Sequence, residues 1–381
     1  MKKILKLKNK FFPVNTPLIT KKNVMDVKKC VTSGWISSEG PNVSIFEKKL
    51  SQFVGRKFGI AVSSGTAALE IAVKSLDLKD GSEIIIPNFS IISSALAVIR
   101  NNHKPILIDC DPFNWNMKID EIEKKINKKT KCIIATHIYG YPLQMEKIVK
   151  ICKKFNLYLI EDAAEMLGHK YKKKFCGSFG DLSIFSFYAN KHITTGEGGM
   201  ILTNNKNLSL KCKSLRNLCF GKGSNRFQHY DIGWNYRLTN IQASLGLSQL
   251  KDLKKNVIRK KEIGKLYYNL LKDIKNIYIQ KPKDRNFENI YWVFGVVLNK
   301  KIDISKLTLN LQKYGVQTRP FFYPMHKQKI LQKFINKNEK FVNSEYISSK
   351  GFYLPSGLAL TNKDIRIICD IFKKSLDQFN K

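Results

Sequence analysis

The chain has 381 residues, more than the roughly 100–200 of one typical core, so two packed domains are expected. Hydrophobic residues at 43% and charged residues at 25%, with 22 Gly and 11 Pro, exclude long disorder and low-complexity architecture. The balance of 67 basic against 30 acidic residues, +37 net, suggests nucleic acid, an anionic membrane face or anionic small molecules. Short lysine clusters such as Lys124-Lys125, Lys153-Lys154 and Lys172-Lys173-Lys174 are scattered along the whole chain, which argues against the first two and leaves phosphorylated small molecules.

At the amino terminus, Met1–Lys10 alternates lysine with isolated apolar residues and has no signal-peptide core. No stretch approaches the roughly 18 apolar residues of a membrane helix. The eight cysteines (Cys30, Cys110, Cys132, Cys152, Cys176, Cys212, Cys219 and Cys369) form no C-x-x-C pair and show no metal-like spacing. They read as reduced structural thiols, and the expected location is cytoplasmic, with no metal.

From about residue 58, short apolar runs alternate with amphipathic stretches, the pattern of β/α units around a mainly parallel sheet. The predicted strands are Phe58–Val62, Glu83–Ile86, Ile106–Asp109, Cys132–His137, Tyr158–Ile160, Leu182–Phe187 and Met200–Thr203. Helical patterns cross over at Thr66–Ser75, Ile119–Ile126 and Met145–Phe155. Strands this apolar are expected where helices cover both sheet faces. Thr239–Leu271 reads as one long helix or two; after it, strand-like Tyr291–Leu298 and helical Ile304–Tyr314 predict a smaller α+β domain. The boundary is placed at 250, giving domains 1–250 and 251–381.

Three segments carry chemistry. Ser63-Ser64-Gly65-Thr66-Ala67 follows a predicted strand and opens a helix, so free N–H groups and the helix dipole point at an anion; a plain capped helix start is the alternative. In Leu159-Ile160-Glu161-Asp162-Ala163-Ala164-Glu165 a buried strand ends in a carboxylate, where open α/β sheets bind ligands; a helix cap is again the alternative. In Phe185-Ser186-Phe187-Tyr188-Ala189-Asn190-Lys191-His192, followed by Gly196-Glu197-Gly198-Gly199, a lysine lies between a strand and a glycine-rich turn rather than on a charged helix face. Glycines there permit the close backbone approach that a wrapped cofactor needs.

In this order and spacing, and with Gly233-Trp234-Asn235-Tyr236-Arg237 behind them, the segments resemble the DegT/DnrJ family of pyridoxal 5′-phosphate (PLP)-dependent nucleotide-sugar aminotransferases, over nearly the whole chain from about residue 15. The resemblance implies a fold type I α/β architecture, with a large PLP-binding domain and a smaller C-terminal α+β domain. It implies an aminotransferase that moves an amino group from an amino acid, L-glutamate foremost, to a keto-sugar nucleotide. Lys191 would hold the cofactor as a Schiff base and shuttle the proton, and Asp162 would pair with the pyridinium nitrogen. Glu165 would lie near the 3′-oxygen, and Phe89 would stack on the ring. Gly65, Thr66 and Ser186 would hold the phosphate, with Asn235 reaching it from the partner subunit of a homodimer.

The run Arg319-Pro320-Phe321-Phe322-Tyr323-Pro324-Met325-His326 and Glu165, where many relatives carry Gln, resemble the branch that aminates C4 of GDP-4-keto-6-deoxymannose. A UDP- or dTDP-linked keto-sugar or a small phosphorylated ketone is the alternative acceptor, with Arg319 and His326 the candidate acceptor contacts. His192 raises a second branch, 3-dehydratases in which histidine replaces the lysine. Counting back from Gly196-Glu197-Gly198-Gly199 puts Lys191 at the key position instead. A basic, non-catalytic regulator of the same fold would need a helix-turn-helix segment, and none is left over.

Overall fold

A computed structural model describes residues 10–281, 287–299, 301–336 and 338–378. Residues 1–9 of the amino-terminal segment lie outside the described residues. Short runs rich in Ile, Val and Leu build the central sheet from β1 (Phe58–Val62), β2 (Glu83–Pro87), β3 (Lys104–Ile108), β4 (Thr130–Thr136) and β5 (Tyr158–Asp162). After a small separate hairpin of β6 (Lys170–Tyr171) and β7 (Lys174–Phe175), β8 (Leu182–Ser186) and β9 (Gly199–Thr203) complete it. Each strand of the central sheet lies within two residues of its predicted bounds, while the β6–β7 hairpin is not among the predicted elements. The order is β1-β9-β8-β5-β4-β2-β3. β3, β2, β4, β5 and β8 pair in parallel, and β9 runs antiparallel to both of its neighbours.

Successive side chains point to opposite faces, and both faces are buried. Ile85, Ile133 and Leu159 join one core; Ile84, Ile86, Ile134 and Ile160 join the other. To the first core α2 (Pro41–Val54) contributes Phe46 and Leu50, and α5 (Met145–Phe155) contributes Ile148. To the second, α3 (Gly65–Lys74) contributes Ile71, α4 (Ser93–Arg100) contributes Val98, and α6 (Lys206–Arg216) contributes Leu215. Ahead of α2, α1 (Lys21–Thr32) packs on α7 (Asn240–Leu250).

The predicted helix at Ile119–Ile126 is instead two short 3₁₀ turns, Ile119–Glu121 and Glu123–Lys125. A three-residue period places Ile119 and Ile122 on one side, with Ile122 fully buried and Ile119 packed against the same core, a contact that the tighter helix can serve. The Thr239–Leu271 segment resolves into α7 and α8 (Leu253–Leu271). Leu253 and Val257 of α8 belong to the core of the large sheet, while Ile263, Tyr267 and Leu271 belong to that of a second sheet.

That second sheet is antiparallel, in the order β10 (Ile277–Tyr278), β11 (Phe294–Leu298), β13 (Gly351–Leu354), β12 (Arg319–Pro320). α8, α9 (Ile304–Lys313) and α11 (Asn362–Asp377) share its core through Tyr267, Leu307 and Phe372. α10 (Val342–Lys350) leads into β13. β11 starts later than predicted, because Tyr291 takes φ 55°, outside strand geometry. Among the described residues, no helix is long and apolar enough to cross a membrane. All eight cysteines are free and buried.

Candidate active site

β5 and β8 lie side by side at the centre of the large sheet, with Asp162 in register with Ile184, so the chain leaving both strands converges at their carboxyl ends. Asp162 closes β5. Its Oδ1 accepts from Ala164 N–H at 3.1 Å and its Oδ2 lies 3.4 Å from Thr136 Oγ1. Below it, Glu161 points to the opposite face, where it accepts from Gly177 and Phe179 N–H (2.6 and 2.8 Å) and meets His137 Nε2 at 3.1 Å. This fully buried clasp fixes the strand that presents Asp162.

Beyond β8 the chain makes the loop that carries Lys191. Phe187 is tied to Gly198 and Thr195 through its backbone (2.9 Å each), and Lys191 N–H donates to Tyr188 O at 2.9 Å. Gly196 and Gly198 take φ of +78° and +155°, and a Cβ on Gly198 would come within 2.3 Å of Thr195 Oγ1. The glycine-rich turn is therefore a steric requirement of this loop.

The loop closes one side of a cavity of about 520 Å³. Lys191, Asp162, Glu165, Gly65, Thr66 and Ser186 all line it, as does Arg319 from β12. The start of α3 forms part of its wall. Ser64 caps the helix by accepting from Ala67 N–H at 3.1 Å, and the helix starts at Gly65, so the first-turn N–H groups of Gly65 and Thr66 have no intrahelical acceptor. Thr66 Oγ1 and Ser93 Oγ are 2.8 Å apart, and a Cβ on Gly65 would approach Ser186 Cβ to 3.1 Å.

Burial shapes the charges. It raises the carboxyl of Asp162, against the pull of Ala164 N–H and of the Lys191 amine, and it lowers the Lys191 amine, against the pull of Glu165 and Asp162. Glu165 is pushed up to about 8, chiefly by burial. Its Oε2 accepts from Tyr139 N–H at 2.6 Å, and its Oε1 stands 3.9 Å from Lys191 Nζ. A buried amine of lowered pKa beside carboxyls of raised pKa can act as a nucleophile and carry a proton near neutral pH.

Three expected contacts stand apart from the cavity. Phe89 is fully buried in an aromatic cluster with Tyr139, Phe321 and Phe322, at centroid distances of 5.8–6.0 Å, so it presents no free face for ring stacking. His326 is turned inward: Nδ1 lies 3.0 Å from Asn88 Oδ1, Nε2 lies 3.0 Å from Glu345 Oε1, and the ring packs on Phe341. With both nitrogens engaged it is a clasp between segments rather than an acceptor contact. Asn235 is exposed and does not line its own chain's cavity; its Oδ1 accepts from Arg237 Nε at 2.9 Å.

His192 also faces away, buried with no partner for either ring nitrogen among the described residues, while its neighbour Lys191 faces the cavity. Residues the sequence did not single out also line the wall, among them Thr136, Ser90, Ser93, Trp292 and Tyr353. Ser90 and Ser93 follow a strand end, a signal that could have been read; Trp292 and Tyr353 come from the second sheet region and carry no local signal.

These groups fit PLP. An amine is available for its carbonyl carbon, and the carboxyl of Asp162 for its ring nitrogen. Helix N–H groups and hydroxyls suit its phosphate. Among the described residues no group of three or more His, Cys, Asp or Glu could hold a metal ion.

Comparison with known proteins agrees with this geometry. GDP-perosamine synthase of Escherichia coli O157:H7 is 37% identical over 364 residues, covering 95% of this chain and 97% of that protein. GDP-perosamine synthase of Vibrio cholerae is 32% identical, covering 95% and 98%. Among solved structures, Helicobacter pylori PseC, an aminotransferase involved in the biosynthesis of pseudoaminic acid, superposes with a TM-score of 0.92 at 26% identity, covering 97% of this chain and all of that one. The profile of the DegT/DnrJ/EryC1/StrS aminotransferase family matches residues 17–373, and the chain belongs to that family of PLP-dependent aminotransferases.

Proposed function

We propose that the chain, working as a cytoplasmic homodimer, transfers the amino group of L-glutamate to C4 of GDP-4-keto-6-deoxymannose. The observation that carries this reading is the end-to-end likeness to two GDP-perosamine synthases in a chain whose Lys191, Asp162 and Glu165 share one cavity. PLP, when bound, supplies an electron sink for the carbon that loses its proton.

The chain's own residues do the rest. Lys191 Nζ would hold the cofactor covalently and, when free, would take and return the proton. Asp162 pairs with the ring nitrogen, a role supported by its seat at the end of β5 on the Glu161–His137 clasp. Glu165, 3.9 Å from Lys191 Nζ, would lie near the cofactor's 3′-oxygen. Gly65 and Thr66 N–H groups, with the Thr66 and Ser186 hydroxyls, hold the phosphate, and Asn235 of the partner subunit adds to them. Arg319, exposed at the cavity rim, meets the acceptor's anionic part. Lys191 facing the cavity while His192 faces away supports transamination over dehydration.

The test incubates the protein with glutamate and GDP-, UDP- and dTDP-linked keto-sugars and small phosphorylated ketones, following 2-oxoglutarate release and product mass. The GDP-linked 4-keto-sugar should give 2-oxoglutarate and a product in which NH₂ and H replace the carbonyl oxygen. Turnover of another acceptor in its place overturns the acceptor assignment, and loss of water without 2-oxoglutarate overturns transamination.

A further inference from the structure

Lys191 Nζ makes no hydrogen bond to any described residue; its nearest carboxylate oxygen, Glu165 Oε1, is 3.9 Å away. What it does meet is a ring: Nζ lies 3.8 Å from the centroid of the Trp292 indole, well inside the roughly 6 Å reach of a cation–π contact.

The indole is held at both ends. Its Nε1–H donates to Asn190 O at 3.0 Å, the carbonyl of the residue just before Lys191, so the ring is tied to the loop whose side chain it faces. The Trp292 carbonyl accepts at 2.9 Å from Lys260 Nζ, which also donates to Ser356 O at 2.5 Å. Lys260 is only 2% exposed and stands on α8, the helix shared by both cores. Tyr139 stacks on the indole at 6.0 Å and 28°, and Gly140 approaches so closely that a Cβ there would come within 2.7 Å of Trp292 N. A side chain that only filled space would need none of these ties.

We propose that Trp292 is a positioning residue for Lys191: its indole face is the seat on which the Lys191 ammonium rests whenever that nitrogen is not covalently engaged, and Lys260 fixes the seat from behind. The proposal rests on Lys191 being the reactive lysine. A displaced lysine with no hydrogen-bond partner would sample many rotamers; a flat, polarizable face holds the ammonium near the reacting carbon without the directional bond that would have to break when the proton moves.

The sign of the effect follows from the surroundings. Glu165 and Asp162 raise the amine's affinity for a proton and burial lowers it; Arg319 at the rim, Lys260 behind, Glu197, His192 and the phenols of Tyr188, Tyr323 and Tyr353 are the other titratable neighbours among the described residues. Replacing the indole by leucine keeps the burial and removes the ring's attraction for the charged form, so the amine's pKa falls.

The measurement is competitive acetylation of the full-length protein freed of PLP, read by peptide mass spectrometry across pH 6–11. Relative to the unaltered protein, Trp292→Leu should lower the apparent pKa of Lys191 by about 0.5–1.5 units, and Trp292→Phe, which keeps a weaker face, by a smaller amount. Should both variants misfold, the wild-type chain grown with fluorinated tryptophans keeps the shape. Of its four tryptophans only Trp292 touches Nζ, so the pKa should fall stepwise with each added fluorine. An unchanged Lys191 pKa in the variants, or across the fluorinated series, overturns the proposal. Because labelling reads the free amine, it is independent of whether borohydride later fixes PLP to Lys191, so failure of that assignment is seen separately.

Discussion

Lys191 Nζ and Glu165 Oε1 face each other at 3.9 Å, a distance that leaves both charges attracted but neither satisfied. Desolvation therefore dominates the pair: the acid is pushed up to about 8 and the amine is lowered. Glu165's other oxygen is occupied by Tyr139 N–H, which fixes where the unsatisfied one points.

A pH signature follows. A carboxyl whose folded pKa lies above its unfolded value binds more protons in the folded chain, so between about pH 5 and 8 stability falls as pH rises, by at most about 1.4 kcal/mol per pH unit for one group. Glu165→Gln keeps an oxygen for Tyr139 N–H and removes the titration. Thermal midpoints of PLP-free protein should converge near pH 5 and separate toward pH 8, with the variant the more stable. Parallel curves across this window would show that Glu165 does not titrate there.

Borohydride reduction of the resting enzyme should attach pyridoxyl phosphate to Lys191, found by peptide mapping. Lys191→Ala should retain noncovalent PLP and lose turnover by several orders of magnitude, because nucleophile and proton carrier go together. Label on another lysine, with Lys191 unmodified, would contradict the assignment. Asp162→Asn should leave the thermal midpoint close to wild type, since an amide can still accept from Ala164 N–H, while both half-reactions slow greatly. Near-normal rates at saturating glutamate would remove Asp162 from its role.

His326 and Arg319 lie in the same short run and should separate cleanly. His326→Ala breaks contacts to Asn88 and Glu345 and should cost about 1–3 kcal/mol of stability with little change in KM. Arg319→Ala, at an exposed position, should leave the thermal midpoint unchanged and raise the acceptor KM about 10–100-fold, with the glutamate half-reaction unaffected. Swapped outcomes would exchange the two roles.

The large sheet was legible because its signal is local. Apolar runs such as Ile84-Ile85-Ile86 can be buried on both faces only inside a helix-covered sheet; Asp162 closes one of its strands and Lys191 stands five residues beyond the end of the neighbouring one. The wall contributed from the second sheet was not legible. Trp292 enters beside Lys191 through a carbonyl clamp from Lys260, 32 residues away in sequence, and nothing in either residue's neighbourhood announces the contact. Phe89, given a stacking role by the resemblance, is instead enclosed by Tyr139, which follows β4, and by Phe321 and Phe322, which follow β12, contacts that no local run of sequence announces. The helix expected at Ile119–Ile126 failed because apolar residues three apart suit a 3₁₀ turn as well as an α-helix, and length alone did not decide.

In the proposed homodimer each site would draw on both subunits. Asn235 is exposed, outside its own chain's cavity, yet its segment is firmly built: Tyr236 OH donates to the buried Glu70 at 2.7 Å, Trp234 stacks on Tyr236 at 5.7 Å, and Arg237 orients the Asn235 amide. An ordered, outward-facing polar side chain suits a contact made to a second copy. If it reaches the partner's PLP phosphate, each site is a composite, and two different lesions can be sorted between sites. Homodimers of Asn235→Ala and of Lys191→Ala should both be impaired, the first through weakened PLP retention and the second through loss of the covalent lysine. A heterodimer of the two places both lesions in one site and leaves the other intact, so activity should return to roughly half the wild-type value per dimer if the sites act independently. Co-expression with two affinity tags, purification of the mixed species and confirmation of its mass give a direct assay. Activity no higher than the average of the two mutant homodimers, with heterodimer formation confirmed, would place Asn235 outside the partner's site.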